Sequence, residues 1–118
     1  MTLLAVIMTI LSLESSGNDK AVGDQGQAIG PLQIHPAYVA DVNRIIGREV
    51  FTLEDRWDRT KSISMASVYL RHYSRAYTRR TGLPATGVVM ARIHNGGPRG
   101  YAKTSTRAYA RKFTTRSN

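Results

Sequence analysis

From Met1 to Leu13 the chain is apolar almost without a break, interrupted by Thr2, Thr9 and Ser12. A segment apolar nearly all round predicts a buried helix. The cluster Ser15-Ser16-Gly17-Asn18 ends it. Residues 18–34 carry Gly23, Gly26, Gly30 and Pro31. They predict a loop with at most two short strands, near Lys20–Val22 and Ala28–Ile29. Pro36 opens the next helix, at a position where its missing N–H costs nothing. Tyr38, Val39, Val42, Ile45 and Ile46 form the apolar face of that helix, and Gly47 ends it. Thr52 with Asp55 has the form of a capping box, so a helix or turn starts at Leu53. The longest periodic stretch runs from about Lys61 to Arg79, with Ile63, Ala66, Leu70, Tyr73 and Tyr77 spaced by three and four. Gly82-Leu83-Pro84 closes it. A further helix covers Thr86 to Ile93, and Gly96-Gly97-Pro98 breaks it. Beyond Pro98 a basic helix extends to about Phe113. The sum is an α+β chain, mainly helical, with a small β-hairpin or loop region.

At 118 residues the chain fits one domain, residues 1–118, with a basic tail over about 102–118. Apolar residues make up 42%, enough to bury a core. No apolar stretch reaches the ~18–20 residues of a membrane span. The opening run lacks a basic leader and a small-residue cleavage site, so it reads poorly as a signal peptide. There is no cysteine, which excludes a disulfide scaffold, a thiol nucleophile and a Cys-ligated metal.

The net charge is +9, and its placement says more than its size. All eight carboxylates lie between Glu14 and Asp58, whereas Arg59 to Asn118 holds thirteen Lys or Arg and no acid. Such a basic half favours a polyanionic partner: nucleic acid, anionic bacterial wall or membrane surface. Plain solubility is the simpler alternative. Arg71, Arg75, Arg79 and Arg80 could grip phosphates, but no helix-turn-helix or RNA-binding signature accompanies them, so no nucleic acid is expected.

Glu14 follows Leu4, Ile7 and Leu11 at spacings of three and four, so all four share one helix face. An acid in the last turn meets the negative end of the helix dipole and apolar surroundings. Both push its pKa upward, and a carboxyl protonated near neutrality is what a general acid requires. Alternatively, Glu14 points to water where the helix ends. Asp24, in Gly23-Asp24-Gln25-Gly26, belongs to a tight turn that exposes it. A hairpin returning towards the helix end would set Asp24 opposite Glu14, and two carboxylates flanking a cleft are the minimum for glycoside hydrolysis. An ordinary turn aspartate is the plainer reading.

The run LESSGNDKAVGDQGQAIGPLQIHPAYVADV from Leu13 and the run ARIHNGGPRGY from Ala91 together resemble the invertebrate-type (destabilase) lysozymes. The shared features are the Leu-Glu-Ser opening, the Gly-Pro-x-Gln-Ile loop before a Tyr-containing helix, and the Ala-Arg-Ile-His-Asn-Gly-Gly-Pro block. The resemblance spans roughly residues 3–101. It implies a lysozyme-like fold, cleavage of peptidoglycan and action at the bacterial cell wall, whether secreted, periplasmic or phage-delivered. It implies Glu14 as the general acid, and Asp24 as the second carboxylate with one residue deleted in the turn. Ile29, Val42 and Tyr101 stand where that family places cysteines, so packing takes the place of bridges. A second resemblance is to the lytic transglycosylases, which use one glutamate and produce an anhydro sugar. The two readings differ in whether Asp24 matters.

Candidate substrate-binding residues are Gln33, Ile34, Tyr38, His94, Asn95 and Gly96. Gln33 either bonds a sugar or staples backbone, and His94 and Asn95 either line the cleft or cap their helix. Tyr69, His72 and Tyr73 divide between core and sugar stacking. Trp57 reads as a packing anchor. Zinc would need His35, His72 and His94 to converge from afar, so no metal or other cofactor is expected. The expected partners are peptidoglycan and the anionic wall surface, with the chain acting as a monomer.

Overall fold

A computed structural model describes all 118 residues. Its elements are α1 (Leu3–Ser15), β1 (Val22–Gly23), β2 (Ala28–Ile29), α2 (Pro36–Ile46), α3 (Arg59–Thr81), α4 (Gly87–Gly96) and α5 (Arg107–Ser117). Short 3-10 turns fill several of the connections.

The helices start and stop where their end groups find partners. The Thr2 hydroxyl accepts from the Ala5 N–H at 3.1 Å and opens α1. Pro36 stands in the first turn of α2, and Gly47, at φ +95°, closes it. Asp58 caps α3 through the Lys61 N–H at 3.0 Å, and Thr86 caps α4 through the Val89 N–H at 3.2 Å. The Thr52 N–H donates to the Asp55 carboxylate at 2.8 Å, which sets the 3-10 turn Leu53–Trp57 that leads into α3.

One cluster of 16 buried residues draws on all five helices and on the loop carrying Leu32 and Ile34, so there is one core. The buried stripe of α1 is Val6, Ile7, Ile10 and Leu11, with Leu4 left 58% exposed. At 100° per residue, a stripe centred near Ile7 and Ile10 puts Leu4 at its edge and keeps Glu14 within it. The expected all-round burial of α1 is therefore corrected to one face. Trp57 is also corrected: it is 37% exposed and lies outside the core. Ile29 and Val42 are buried, and Tyr101 stacks edge-on against Tyr77 with ring centroids 4.8 Å apart. The chain beyond Pro98 makes two 3-10 turns before α5, which packs on α1 and α4 and sends Phe113 into the core.

The hairpin is the only sheet. Val22 pairs with Ile29 and Gly23 with Ala28, antiparallel. Gly30 follows at φ +81°, and a Cβ there would stand 1.9 Å from the Arg56 carbonyl oxygen. Only glycine permits that backbone approach. Arg56 then donates to the Gln27 and Ile34 carbonyls, both at 3.1 Å, tying the hairpin and its loop to the turn before α3.

Candidate active site

Glu14 lies in the last turn of α1, within the buried stripe, and its side chain is 19% exposed. Burial pushes its carboxyl up to about 7, and the Asp24 charge adds to the effect. The Tyr109 hydroxyl, donating to Glu14 Oε2 at 2.9 Å, and the more distant Lys112 both pull the other way. His94 Nε2 stands 3.7 Å from the same oxygen. It is no ion-pair partner, because burial lowers His94 to about 4 and leaves it neutral.

The tautomer of His94 follows from its neighbours. The Leu32 carbonyl can only accept, so His94 Nε2 carries the hydrogen and donates to it at 3.0 Å. His94 Nδ1 then accepts from the Tyr38 hydroxyl at 3.0 Å. The ring of Tyr38 stacks on Tyr69 with centroids 3.8 Å apart and planes 12° from parallel. Glu14 is thus surrounded by neutral, fixed dipoles, with nothing charged in direct contact.

Asp24 stands at the tip of the hairpin in a different setting. Its φ of +49° and the +56° of Gln25 put two consecutive non-glycine residues in the left-handed region. That strain is held by the paired strands and by Arg56. The Asp24 side chain is 69% exposed, and His35 Nε2 lies 2.8 Å from its Oδ2.

Both carboxylates line one cavity of about 240 Å³, together with Ala28, Gln33, His35, His94 and Asn95. A larger hollow of about 690 Å³ shares Asp24, His35, His94 and Asn95 with it. The hollow extends the cleft past Tyr38, Tyr69, Asp41 and Pro98. In it, Arg44 donates to Asp41 Oδ1, and the Tyr73 hydroxyl donates to Asp41 Oδ2.

The six expected binding residues divide. Tyr38, His94 and Asn95 line the cleft, and Asn95 is exposed there. Gln33 lines it too, but its amide N–H groups donate to the Ala21 and Gly30 carbonyls at 3.1 and 3.0 Å, so it staples the loop. Ile34 and Gly96 line neither part and are corrected. Ile34 is 1% exposed in the core, pairing its backbone with Ile29. Gly96 turns towards Thr106, and its carbonyl accepts from Lys103 Nζ at 2.6 Å. His72 stacks on Tyr73 away from the other two histidines, and no group of three His, Asp or Glu could hold a metal ion.

Two residues escaped the sequence reading. Tyr109 reaches Glu14 from a basic segment 95 positions later, and no local pattern signals that contact. The sequence points to His35, next to the Gln-Ile loop, only as a metal ligand; its two-residue separation from Gln33 is the available signal.

A family model described as "Transglycosylase SLT domain" matches residues 2–115. The chain belongs to that family. No curated protein sequence matches the chain. Among solved structures, it is similar to a chain in the crystal structure of Aeromonas hydrophila PliI in complex with Meretrix lusoria lysozyme. The identity is 26%, the TM-score 0.77, and the match covers 94% of this chain and 87% of the other. The fold is lysozyme-like: mostly helical, with one small antiparallel hairpin.

Proposed function

We propose that this member of the SLT-domain family is a muramidase, hydrolysing the β-1,4 bond between N-acetylmuramic acid and N-acetylglucosamine of peptidoglycan. The observation that carries this is the meeting of two unlike carboxylates on one cavity, one dry and held near 7, one wet. Family membership supports cleavage of peptidoglycan. The Leu-Glu-Ser opening and the Ala-Arg-Ile-His-Asn-Gly-Gly-Pro block favour a place near the invertebrate-type (destabilase) lysozymes, as a cysteine-free relative.

Protonated Glu14 gives its proton to the glycosidic oxygen as the bond from the anomeric carbon breaks. The Tyr109 hydrogen bond fixes Oε2 and orients the carboxyl group beside the cavity. Asp24 stabilises the oxocarbenium-like state or attacks it. Water then adds its hydroxyl to the anomeric carbon, and its proton returns to Glu14. His94, Asn95 and Tyr38 position the sugar, and Gln33 holds the loop in shape. The chemistry calls for no metal or cofactor. The basic half draws the protein to the anionic wall, where it acts as a monomer.

One observation favours a second reading. Asp24 is largely exposed and tied to His35, and the family is described as a transglycosylase. In that form Glu14 works alone: it protonates the leaving oxygen, then accepts the proton of the muramic 6-hydroxyl as a 1,6-anhydro ring closes. Mass spectrometry of digested peptidoglycan separates the two. Reducing muramic ends, absent with Glu14→Gln and Asp24→Asn, establish the hydrolase. Anhydro ends that survive Asp24→Asn establish the transglycosylase. No released fragment at all overturns both.

A further inference from the structure

A second cavity lies apart from the cleft. It measures about 790 Å³ and lies between the start of α1, the second half of α3 and the start of α4. It shares no lining residue with the cleft. Leu3 lines it and Glu14 lines the cleft, at opposite ends of α1, roughly 16 Å apart at 1.5 Å per residue.

Its walls are of two kinds. Arg71, Arg75 and Arg79 follow one another at single-turn spacing on α3, so their guanidinium groups share one face. None of the three has a carboxylate partner. Ser74 lies among them, and its hydroxyl is the one buried side-chain polar atom in the molecule without a hydrogen-bond partner. Facing these groups are Leu3, Pro84, Ala85 and Met90. Leu83, between the lining residues Gly82 and Pro84, is 56% exposed, and Leu4, next to Leu3 in sequence, is 58% exposed.

Three guanidinium forks without carboxylate partners on one helix face call for an anion with several acceptor oxygens. Apolar walls, with exposed leucines on the adjoining loop and helix, call for an anion that sits directly above hydrocarbon. Wall glycan offers carboxylates on a polar chain and does not meet the second requirement. A phospholipid surface meets both, because a headgroup phosphate lies over acyl chains. We propose that this cavity is a docking site for the phosphate headgroup of an anionic phospholipid. Leu83 and Leu4 enter the edge of the acyl region, while the cleft, at the other end of α1, stays open to glycan.

The test is flotation of the full chain with vesicles of phosphatidylglycerol and phosphatidylcholine, against phosphatidylcholine alone. Binding is expected only to the mixed vesicles. The variant Arg71→Gln/Arg75→Gln/Arg79→Gln is expected to weaken it by about a hundredfold, from the usual contribution of three basic residues at an anionic leaflet. Arg48→Gln/Arg107→Gln/Arg111→Gln removes the same charge elsewhere and is expected to change binding by less than about threefold, as screened surface charges do. Leu83→Ser, on an exposed loop, is expected to weaken binding several-fold with the fold intact. Equal losses in the two triple variants would overturn the site in favour of diffuse attraction. A comparable loss of binding to purified peptidoglycan in the first triple variant would assign the cavity to the wall and overturn the lipid. Failure of the wild type to float with mixed vesicles would overturn it outright.

Discussion

Glu14 and Asp24 carry the same functional group, face the same cavity and meet opposite surroundings. Glu14 ends a helix whose neighbours are core side chains, a tyrosine hydroxyl and a neutral imidazole. Asp24 tips a two-residue hairpin, in left-handed backbone, with water and His35 around it. The first environment removes solvent from the charged form and holds the proton on up to about pH 7. The second leaves the side chain solvated and, on the proposed reading, free to face positive charge developing on a sugar. On that reading, the division of labour between the acids is set by where the chain puts them.

The largest expected effect removes the dry acid. Glu14→Gln keeps the Tyr109 contact but has no proton to give, so kcat on peptidoglycan should fall by about 10³-fold or more. The same change should stabilise the fold above neutral pH. The folded carboxyl titrates near 7 against 4.5 for the ordinary group. The unfolded chain therefore loses its proton first, and the wild type loses stability as pH rises from about 4.5 through 7. Glu14→Gln escapes that loss, which amounts to about 3 kcal/mol for a shift of this size. Urea melts at pH 5 and pH 8 check it: an equal gap at both pH values would contradict the raised carboxyl. His94 acts in the opposite sense. Its depressed value, about 4, makes stability fall as pH drops from about 6.5 through 4.

Asp24→Asn should cost about 10²-fold in kcat if the wet acid is a partner in hydrolysis. Unchanged kcat, with anhydro products, would reduce the pair to a single working acid. Tyr109→Phe sharpens the contrast by about tenfold in kcat at acid pH, since Glu14 loses its orienting hydrogen bond. That bond also lowers the Glu14 pKa, so the alkaline limb of the pH profile, near 7 in the wild type, should move upward. A limb that moves downward would contradict the assigned role of Tyr109. His35→Ala should be the mildest, a few-fold in kcat, because an exposed pair holds its partner weakly.

Much of the architecture is legible because it is local. Pro36, Gly47, Thr52 with Asp55, and Gly82 mark boundaries that the helices and turns respect. The stripe of α3 fails only in detail, since the core takes Met65 and Tyr69 as well as Ala66 and Leu70. Ile34 and Gly96 belong to segments that shape the cleft yet do not line it, because the wall is made by alternate side chains and a motif does not say which. Gln33 shows the same limit from the other side: it borders the cavity, but its amide is committed to the backbone that positions Asp24's hairpin.

By itself, the sequence determined the first four helices and most of their ends, the glycine-rich hairpin, the charge asymmetry and the position of Glu14 on a mostly apolar face, but not the two 3-10 turns that delay the last helix to Arg107. Each depends on residues within a few positions of one another, where backbone propensity and periodicity act. Only the tertiary structure decided that Tyr109 would reach Glu14 across 95 residues, that His94 would stay neutral beside it, and that Asp24 would turn to the same cavity. Those outcomes depend on desolvation and on hydrogen bonds between distant segments, which exist only once the core has closed.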